Sequence, residues 1–435
     1  MSAVARSPLP TTSAVASRPS ARRGTALGEA CPNRAPVNCS RALFAFRSRC
    51  DSKGNLHLGV VRAAAADDAA ETSPSPTSRD SVKQRANAMR VKQLKSCLGY
   101  MGISSAAFFE KGELVDAVIK GWEEKLKRST SVPLRQIVGM PGNPRAGYVL
   151  VTLDCGDDSG FVDFLIDTGA TTALISPKLR ETLGSNRCAD GAAIRGLGSM
   201  GETIRQKTTI SGLSLGSLEL ANLSAVVTDL SATGLPAVVG GMLGLSFLEK
   251  FETEFDFTNK TLSFHKPGTI GSGAVDVSTL VEVPLKTHPT GLKTVRCSLN
   301  NSKPFDAVVD AGSFFSVVNW LAADSGGVSP DSDSVTKSAM TAVGVDGRTM
   351  TMSTAAFDLE VVGVSSGGEK ESGFKSNYKG QCCIGDLPAF AALGAEKTPF
   401  MSMGLDVLGR GRTVLDLKNN KLYLTPGGAV DGGYV

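Results

Sequence analysis

Phe164-Leu165-Ile166-Asp167-Thr168-Gly169-Ala170 decides how this chain is read, because its plan returns as Ala307-Val308-Val309-Asp310-Ala311-Gly312-Ser313. Each copy is an apolar run, then an aspartate, a small residue and a glycine. An aspartate closing an apolar strand is costly, since a lone buried carboxylate is unfavourable unless something compensates it. One such site could be a turn or a metal ligand. Two, each within its own copy of a longer repeat, point to a pair of carboxylates brought face to face by pseudo-symmetry.

The repeat runs well past the aspartates. Leu174-Ile175-Ser176 matches Val317-Val318-Asn319, and Met242-Leu243-Gly244-Leu245-Ser246-Phe247-Leu248 answers Ser402-Met403-Gly404-Leu405-Asp406-Val407-Leu408. In the same register Phe255-Asp256-Phe257-Thr258-Asn259-Lys260-Thr261-Leu262 aligns with Leu415-Asp416-Leu417-Lys418-Asn419-Asn420-Lys421-Leu422. Each unit therefore reads strand, Asp-x-Gly turn, apolar strand ending in glycine, short helix, hairpin. A period of roughly 150 residues is too long for a solenoid and fits two fused homologous lobes. Asp256 and Asp416, at the heads of the terminal hairpins, read as turn residues.

Two lobes fit a chain of 435 residues, since each can bury its own core. The lobes are expected at 134–266 and 283–427, joined by a linker at 267–282. No apolar run approaches the roughly 20 residues a membrane-spanning helix needs, so no membrane partner is expected. The first 62 residues hold nine arginines and one lysine against only Glu29 and Asp51. That Arg- and Ser-rich, acid-poor composition without an apolar core reads as an organelle transit peptide. Val60-Val61-Arg62-Ala63-Ala64-Ala65 resembles a plastid processing site, so a soluble plastid protein is expected. Without residues 1–62 the chain carries 36 basic against 40 acidic residues. The mature protein as a whole thus gives no electrostatic support to nucleic-acid binding.

The nine cysteines and three histidines (His57, His265, His288) show no zinc-like spacing, so neither a metal nor a cofactor is expected. The same scarcity argues against a Ser-His-Asp triad. Cys382-Cys383 follows a glycine-rich loop and reads as two small side chains at a strand start, the competing reading being a redox-responsive pair. Gly240, Gly241 and Gly244 lack the lysine and hydroxyl of a phosphate loop. The polar, glycine-rich stretch 365–380 reads as a surface insertion.

Residues 63–86 have the composition of a flexible linker. Beyond it Val91, Leu94, Leu98 and Met101 recur at helical spacing, and Gly102 ends the helix. Ser104 or Ser105 can cap the next helical stretch, and Leu114, Val115, Val118 and Ile119 line a second apolar face. On Val91-Lys92-Gln93-Leu94-Lys95, Gly102-Ile103-Ser104 and Phe108-Phe109-Glu110-Lys111-Gly112-Glu113-Leu114-Val115, residues 87–130 resemble a SAP-like helical module. That resemblance implies a nucleic-acid or protein partner through 87–130. Lys92, Lys95, Lys111, Lys120, Lys125, Lys127 and Arg128 would supply phosphate contacts; the competing reading is an adaptor whose lysines are a solvated face.

In lobe one Tyr148–Leu153 and Phe161–Asp167 read as strands, and Ser176-Pro177 opens a short helix ending near Gly184. The hairpin tips are expected around Gly198, Ser199 and Met200 in lobe one and Val345, Asp346 and Gly347 in lobe two, where glycine permits positive φ.

The two repeats together resemble the halves of an aspartic protease, each closer to a retropepsin-like subunit than to a pepsin lobe. The resemblance implies a mainly β, bilobal, pseudo-twofold β-barrel fold behind a small α-helical module. It implies a monomeric aspartic endopeptidase acting on polypeptide, with Asp167 and Asp310 as the dyad. Thr168, Gly169, Ala170, Ala311, Gly312 and Ser313 would support the loops, and the two hairpin tips would be flaps. Carboxylates about 3 Å apart cannot both ionise, so one keeps a proton while the other is basic. Three departures stand out. Ala311 replaces the hydroxyl residue that grips the opposite loop, Ala170 offers no side-chain bond to Asp167, and the Gly-Arg-Asn/Asp element of retroviral dimers is missing. With fewer bonds to its ionised form the dyad should hold its proton to higher pH, so activity should peak at mildly acid to neutral pH. The rival readings are a catalytically inactive peptide-binding scaffold and a nucleic-acid-associated protein.

Overall fold

The computed structural model describes residues 79–127, 129–138, 147–156, 159–198, 201–230, 235, 238–343, 349–363 and 375–427. The segment 1–62, expected to be a transit peptide, and the flanking stretch to 78 lie outside the described residues.

Each lobe is a twisted sheet whose strand order is dictated by the repeat. Across lobe one run Gly147–Asp154, Phe161–Ile166, Val239–Leu243, Ala173–Ile175, Leu223–Val227, Gly201–Ile210 and Cys188–Gly198. Across lobe two run Lys293–Leu299, Phe305–Val309, Phe400–Met403, Val317–Val318, Lys375–Ile384, Thr349–Val362 and Thr336–Val343. The two orders are the same. In both, the strand that ends in the aspartate lies parallel to the one that ends in glycine, Ile166 opposite Leu243 and Val309 opposite Met403. Central parallel strands are covered on both faces, so their apolar runs are continuous rather than alternating. Phe164, Leu165, Ile166, Ala307, Val308 and Val309 are all buried.

A third sheet joins the lobes. Its order is Thr130–Pro133, Thr261–His265, Glu252–Asp256, Arg412–Asp416, Lys421–Leu424, Val281–Pro284. At its centre Thr253 faces Leu415 and Phe255 faces Thr413, pairs that exchange under the repeat. The edge strands match as well: Pro133 lies opposite Thr261, and Pro284 opposite Lys421. Proline suits an edge, where its missing N–H breaks no ladder. Val-Pro-Leu at 132–134 and 283–285 is thus a further piece of the repeat. Lobe one begins at Thr130, ahead of the expected 134. Asp256 and Asp416 each accept from the N–H and side-chain amide of the asparagine three residues on, at 2.7–3.2 Å, which places both in turns.

The helical module is larger than the expected pair of helices. Helix α1, Arg79–Ala88, occupies part of the stretch expected to be a flexible linker, and Val82 and Ala86 pack it onto α2, Val91–Tyr100, and α3, Lys111–Leu126. Its low apolar content hid it from periodicity, since only Val82 and Ala86 of it are buried apolar residues of the module's core. Gly102, at φ 73°, ends α2, the left-handed conformation glycine takes freely. Ser104 caps a short turn, and Glu113 accepts from the N–H groups of Phe109 and Glu110 to cap α3.

The expected linker 267–282 is likewise packed. Trp122 Nε1 donates to Ser272 O at 2.6 Å, Arg85 donates to the carbonyls of Gly273 and Ala274, and Arg85 stacks over the Trp122 ring at 4.3 Å. The ring of Tyr100 lies against Gly271, where any side chain would collide with it. On the other side Ile270 and Val275 pack on Val414 and Tyr423 of the joining sheet. The segment is therefore a filling between module and sheet. Of the stretch 365–380 expected to be an insertion, Lys375–Gly380 pairs with Phe357–Val362 as strand and the rest lies outside the described residues. Among the described residues no helix is long and apolar enough to cross a membrane.

Candidate active site

Asp167 and Asp310 emerge from equivalent strand ends and meet at the lobe interface. Each is held by the glycine strand behind it: Asp167 N–H donates to Leu243 O at 3.1 Å and Asp310 N–H to Met403 O at 2.9 Å. The strands then turn under the loops, with Leu245 N–H donating to Ala170 O and Leu405 N–H to Ser313 O. Gly244 and Gly404 are required there. A Cβ on Gly244 would stand 2.6 Å from Ala170 O, and one on Gly404 2.7 Å from the Phe315 carbonyl carbon.

The inner carboxylate oxygens converge. Asp310 Oδ1 and Asp167 Oδ1 lie 2.6 and 3.1 Å from a single point, the place a Cβ on Gly169 would occupy, and a Cβ on Gly312 would collide with the Asp167 carboxyl. Only glycine at both positions lets the carboxylates approach. Each also accepts from its own loop, Gly169 N–H to Asp167 Oδ1 at 2.8 Å and Gly312 N–H to Asp310 Oδ1 at 3.1 Å. Asp167 is 7% exposed. Burial, then the charge of Asp310, pushes its carboxyl up to about 7 against the pull of the Gly169 and Ala170 N–H groups, and a hydrogen bond with Asp310 adds to the rise. Burial disfavours the charged carboxylate, and a like charge beside it disfavours it further.

The loops interlock on one side only. Thr168 Oγ1 donates to Val309 O at 2.7 Å and accepts from Ala311 N–H at 2.8 Å. Ala311 cannot reciprocate. Beside it lies an apolar void of about 10 Å³, lined by Thr168, Val309, Leu405, Leu415 and others. Ser313 Oγ donates to Asp310 Oδ2 at 2.6 Å, while Ala170, its counterpart, has no side-chain donor.

Gly198 pairs with Gly201 at the end of the lobe-one hairpin. Ser199, Met200, Val345, Asp346 and Gly347 lie outside the described residues. The strands that lead to the second tip, Thr336–Val343 and Thr349–Val362, do pair as a hairpin. Cys382 and Cys383 are buried core residues whose thiols burial pushes up, Cys383 to about 12, so neither offers a reactive thiolate at neutral pH.

Sequence reasoning missed three residues at this site. Ser402 Oγ donates to Asp310 Oδ2 at 2.8 Å; a serine where the repeat has Met242 was the available signal. Asp406 is buried and accepts from the N–H and hydroxyl of Ser316 at 3.0 and 2.6 Å, tying the glycine strand to the chain just beyond the Asp310 loop. A charged residue within Met-Gly-Leu-Asp-Val, at 403–407, was its trace. Tyr148 lies within electrostatic reach of the pair: burial, then the charges of Asp310 and Asp167, raises its phenol; one tyrosine in a strand carries no such signal.

A family profile described as aspartyl protease matches residues 151–247, which span the Asp167 loop and the glycine strand behind it. No curated protein matches the chain. Among solved structures it is similar to basic 7S globulin from soybean, at 11% identity and a TM-score of 0.39 over 69% of this chain and 95% of that one. Conglutin gamma, a unique basic 7S globulin from lupine seeds, is similar at 11% identity and a TM-score of 0.39, over 68% of this chain and 95% of that one.

Proposed function

We propose that the chain is an aspartic endopeptidase of two fused retropepsin-like halves. The convergence of two carboxylates from equivalent loops on one point, close enough for one water to touch both, carries the reading. In the reaction the ionised aspartate takes a proton from that water, the protonated one donates to the scissile carbonyl, and the water oxygen attacks the carbonyl carbon. No covalent intermediate forms on the protein. The position of the pair at the lobe interface suits an extended polypeptide, and the paired strands Cys188–Gly198 with Gly201–Ile210 and Thr336–Val343 with Thr349–Val362 belong to the elements that would close over it. One chain supplies both halves, so a monomer suffices.

Retention of both aspartates at such electrostatic cost favours the enzyme over an inactive scaffold, whose site would have no use for them. Incubating the full chain with an unbiased peptide library from acid to neutral pH decides between them. Cleavage by the wild type that vanishes in Asp167→Asn and in Asp310→Asn is the expected result. No cleavage at any pH, or cleavage that survives either substitution, supports the scaffold.

We place the protein in the plastid on the composition of residues 1–62; import of a fused reporter by isolated chloroplasts tests this. The packing of the helical module on 267–280 favours an adaptor role. The exposed Lys92, Lys95, Lys111 and Lys120 keep a nucleic-acid partner in play, and salt-dependent retention of the full chain on single- and double-stranded nucleic acid would support it.

A further inference from the structure

The two lobes treat their aspartates differently. Ser313 and Ser402 hydroxyls both donate to the outer oxygen of Asp310, at 2.6 and 2.8 Å. Their counterparts in the repeat are Ala170 and Met242, which can donate nothing from their side chains. Asp167 receives backbone N–H groups, from Gly169 and Ala170. Ser402 itself is 7% exposed, so its hydroxyl proton has the carboxylate as its partner rather than bulk water. A carboxylate that accepts more hydrogen bonds is favoured in its charged form. Among the described residues Tyr148 is also within electrostatic reach of the pair, and its phenol is raised and therefore neutral across the acid range.

We propose that Ser402 is a positioning residue that, with Ser313, holds Asp310 as the charged member of the pair and so keeps the shared proton on Asp167. The proposal rests on the endopeptidase reading and adds direction to it. Asp310 receives the proton of the attacking water as the new C–O bond forms, and Asp167 gives its proton to the carbonyl oxygen. On collapse the proton held by Asp310 passes to the leaving nitrogen as the C–N bond breaks. Asp167 regains its own proton from the hydroxyl as the carbonyl re-forms. One water is consumed, and an acid and an amine result.

The test needs no turnover. The full chain, labelled with ¹³C at the aspartate carboxyls, is titrated by NMR as wild type, Asp167→Asn, Asp310→Asn, Ser402→Ala and Ser402→Thr. With the two carboxyl signals assigned by the Asp→Asn variants, the Asp167 signal should be the one that shifts in the wild type's upper step. In Ser402→Ala the pair's lower titration step should move up by about one pH unit, the worth of one hydrogen bond to a charged group. Its upper step should stay in place, because both species on either side of that step carry the charge on Asp310. Ser402→Thr, which keeps the hydroxyl, should leave both steps unchanged. The same displacement should appear in the acid limb of the pH–rate profile and not in the alkaline limb. If the Asp310 signal shifts in the upper step instead, or Ser402→Ala moves neither step, the proposal is overturned while the endopeptidase reading stands. A chain that cuts no peptide would overturn that reading and leave the titration legible.

Discussion

The hydroxyl of Thr168 spans the lobe interface, donating to Val309 O and accepting from Ala311 N–H. With Ala311 opposite it, this side chain does alone what a pair of hydroxyls would share. Thr168→Val keeps the shape and strands a buried carbonyl and a buried N–H. It should cost roughly 2–4 kcal/mol, read as a lowered denaturant midpoint at unchanged m-value. The carboxyl of Asp167 makes a second prediction. Its folded value, about 7, lies above its ordinary 3.8, so the native state binds the extra proton between those limits. The stability tied to this group is complete in acid and is lost as pH rises toward 7. Asp167→Asn removes that dependence. The thermal midpoint of the variant should fall less than that of the wild type between acid and neutral pH; parallel curves would refute the assignment.

At the scale of elements, the joining sheet binds the lobes through charge as well as ladder. Glu254, on a lobe-one strand, meets Arg412 from lobe two and His265 Nε2 at 2.8 Å. Burial alone would raise its carboxyl, but the bonds from His265 and Arg412 outweigh that and hold it at about 2. The sign is opposite to that of Asp167. Glu254 contributes stability above its ordinary value of 4.5, lost as pH falls toward 2. Glu254→Gln should cost roughly 3 kcal/mol at neutral pH, since it leaves Arg412 without its charge partner. The variant should also show a flatter acid limb in a stability–pH curve. An unchanged curve would mean that the ladder, and not the ion pair, holds the sheet.

At the scale of the whole molecule, the segment between the lobes is a structural layer. Trp122 and Arg85 pin it from the helical side, and Ile270 and Val275 pin it to the sheet. Trp122 is fully buried, so Trp122→Ala should cost about 3–5 kcal/mol of module stability. It should also open residues 267–280 to protease nicking while leaving the strands around Asp167 protected from amide exchange. Nicking no faster than in the wild type would show that the segment holds its place without the module.

The duplicated aspartate loops, the glycine strands, the hairpin turns and the capped helices α2 and α3 are legible in the residues themselves. Each depends on neighbours a few positions away, through apolar runs, a left-handed glycine or an Asp-to-Asn turn, and a repeat displays such local patterns twice. Helix α1 escaped because its hold is tertiary: Val82 and Ala86 in the module's core and Arg85 on distant carbonyls, rather than a periodic face. Ser402 to Asp310, Trp122 to Ser272 and Arg412 to Glu254 join residues 92, 150 and 158 positions apart. No local pattern encodes such meetings. Sequence alone determined that this chain carries two acid loops on a common plan; the packed structure decided that they face each other, and that serines surround only one of them. The reason is physical: a hydrogen bond or a shared proton depends on distance in space, which the chain acquires only once both lobes have folded and closed on each other.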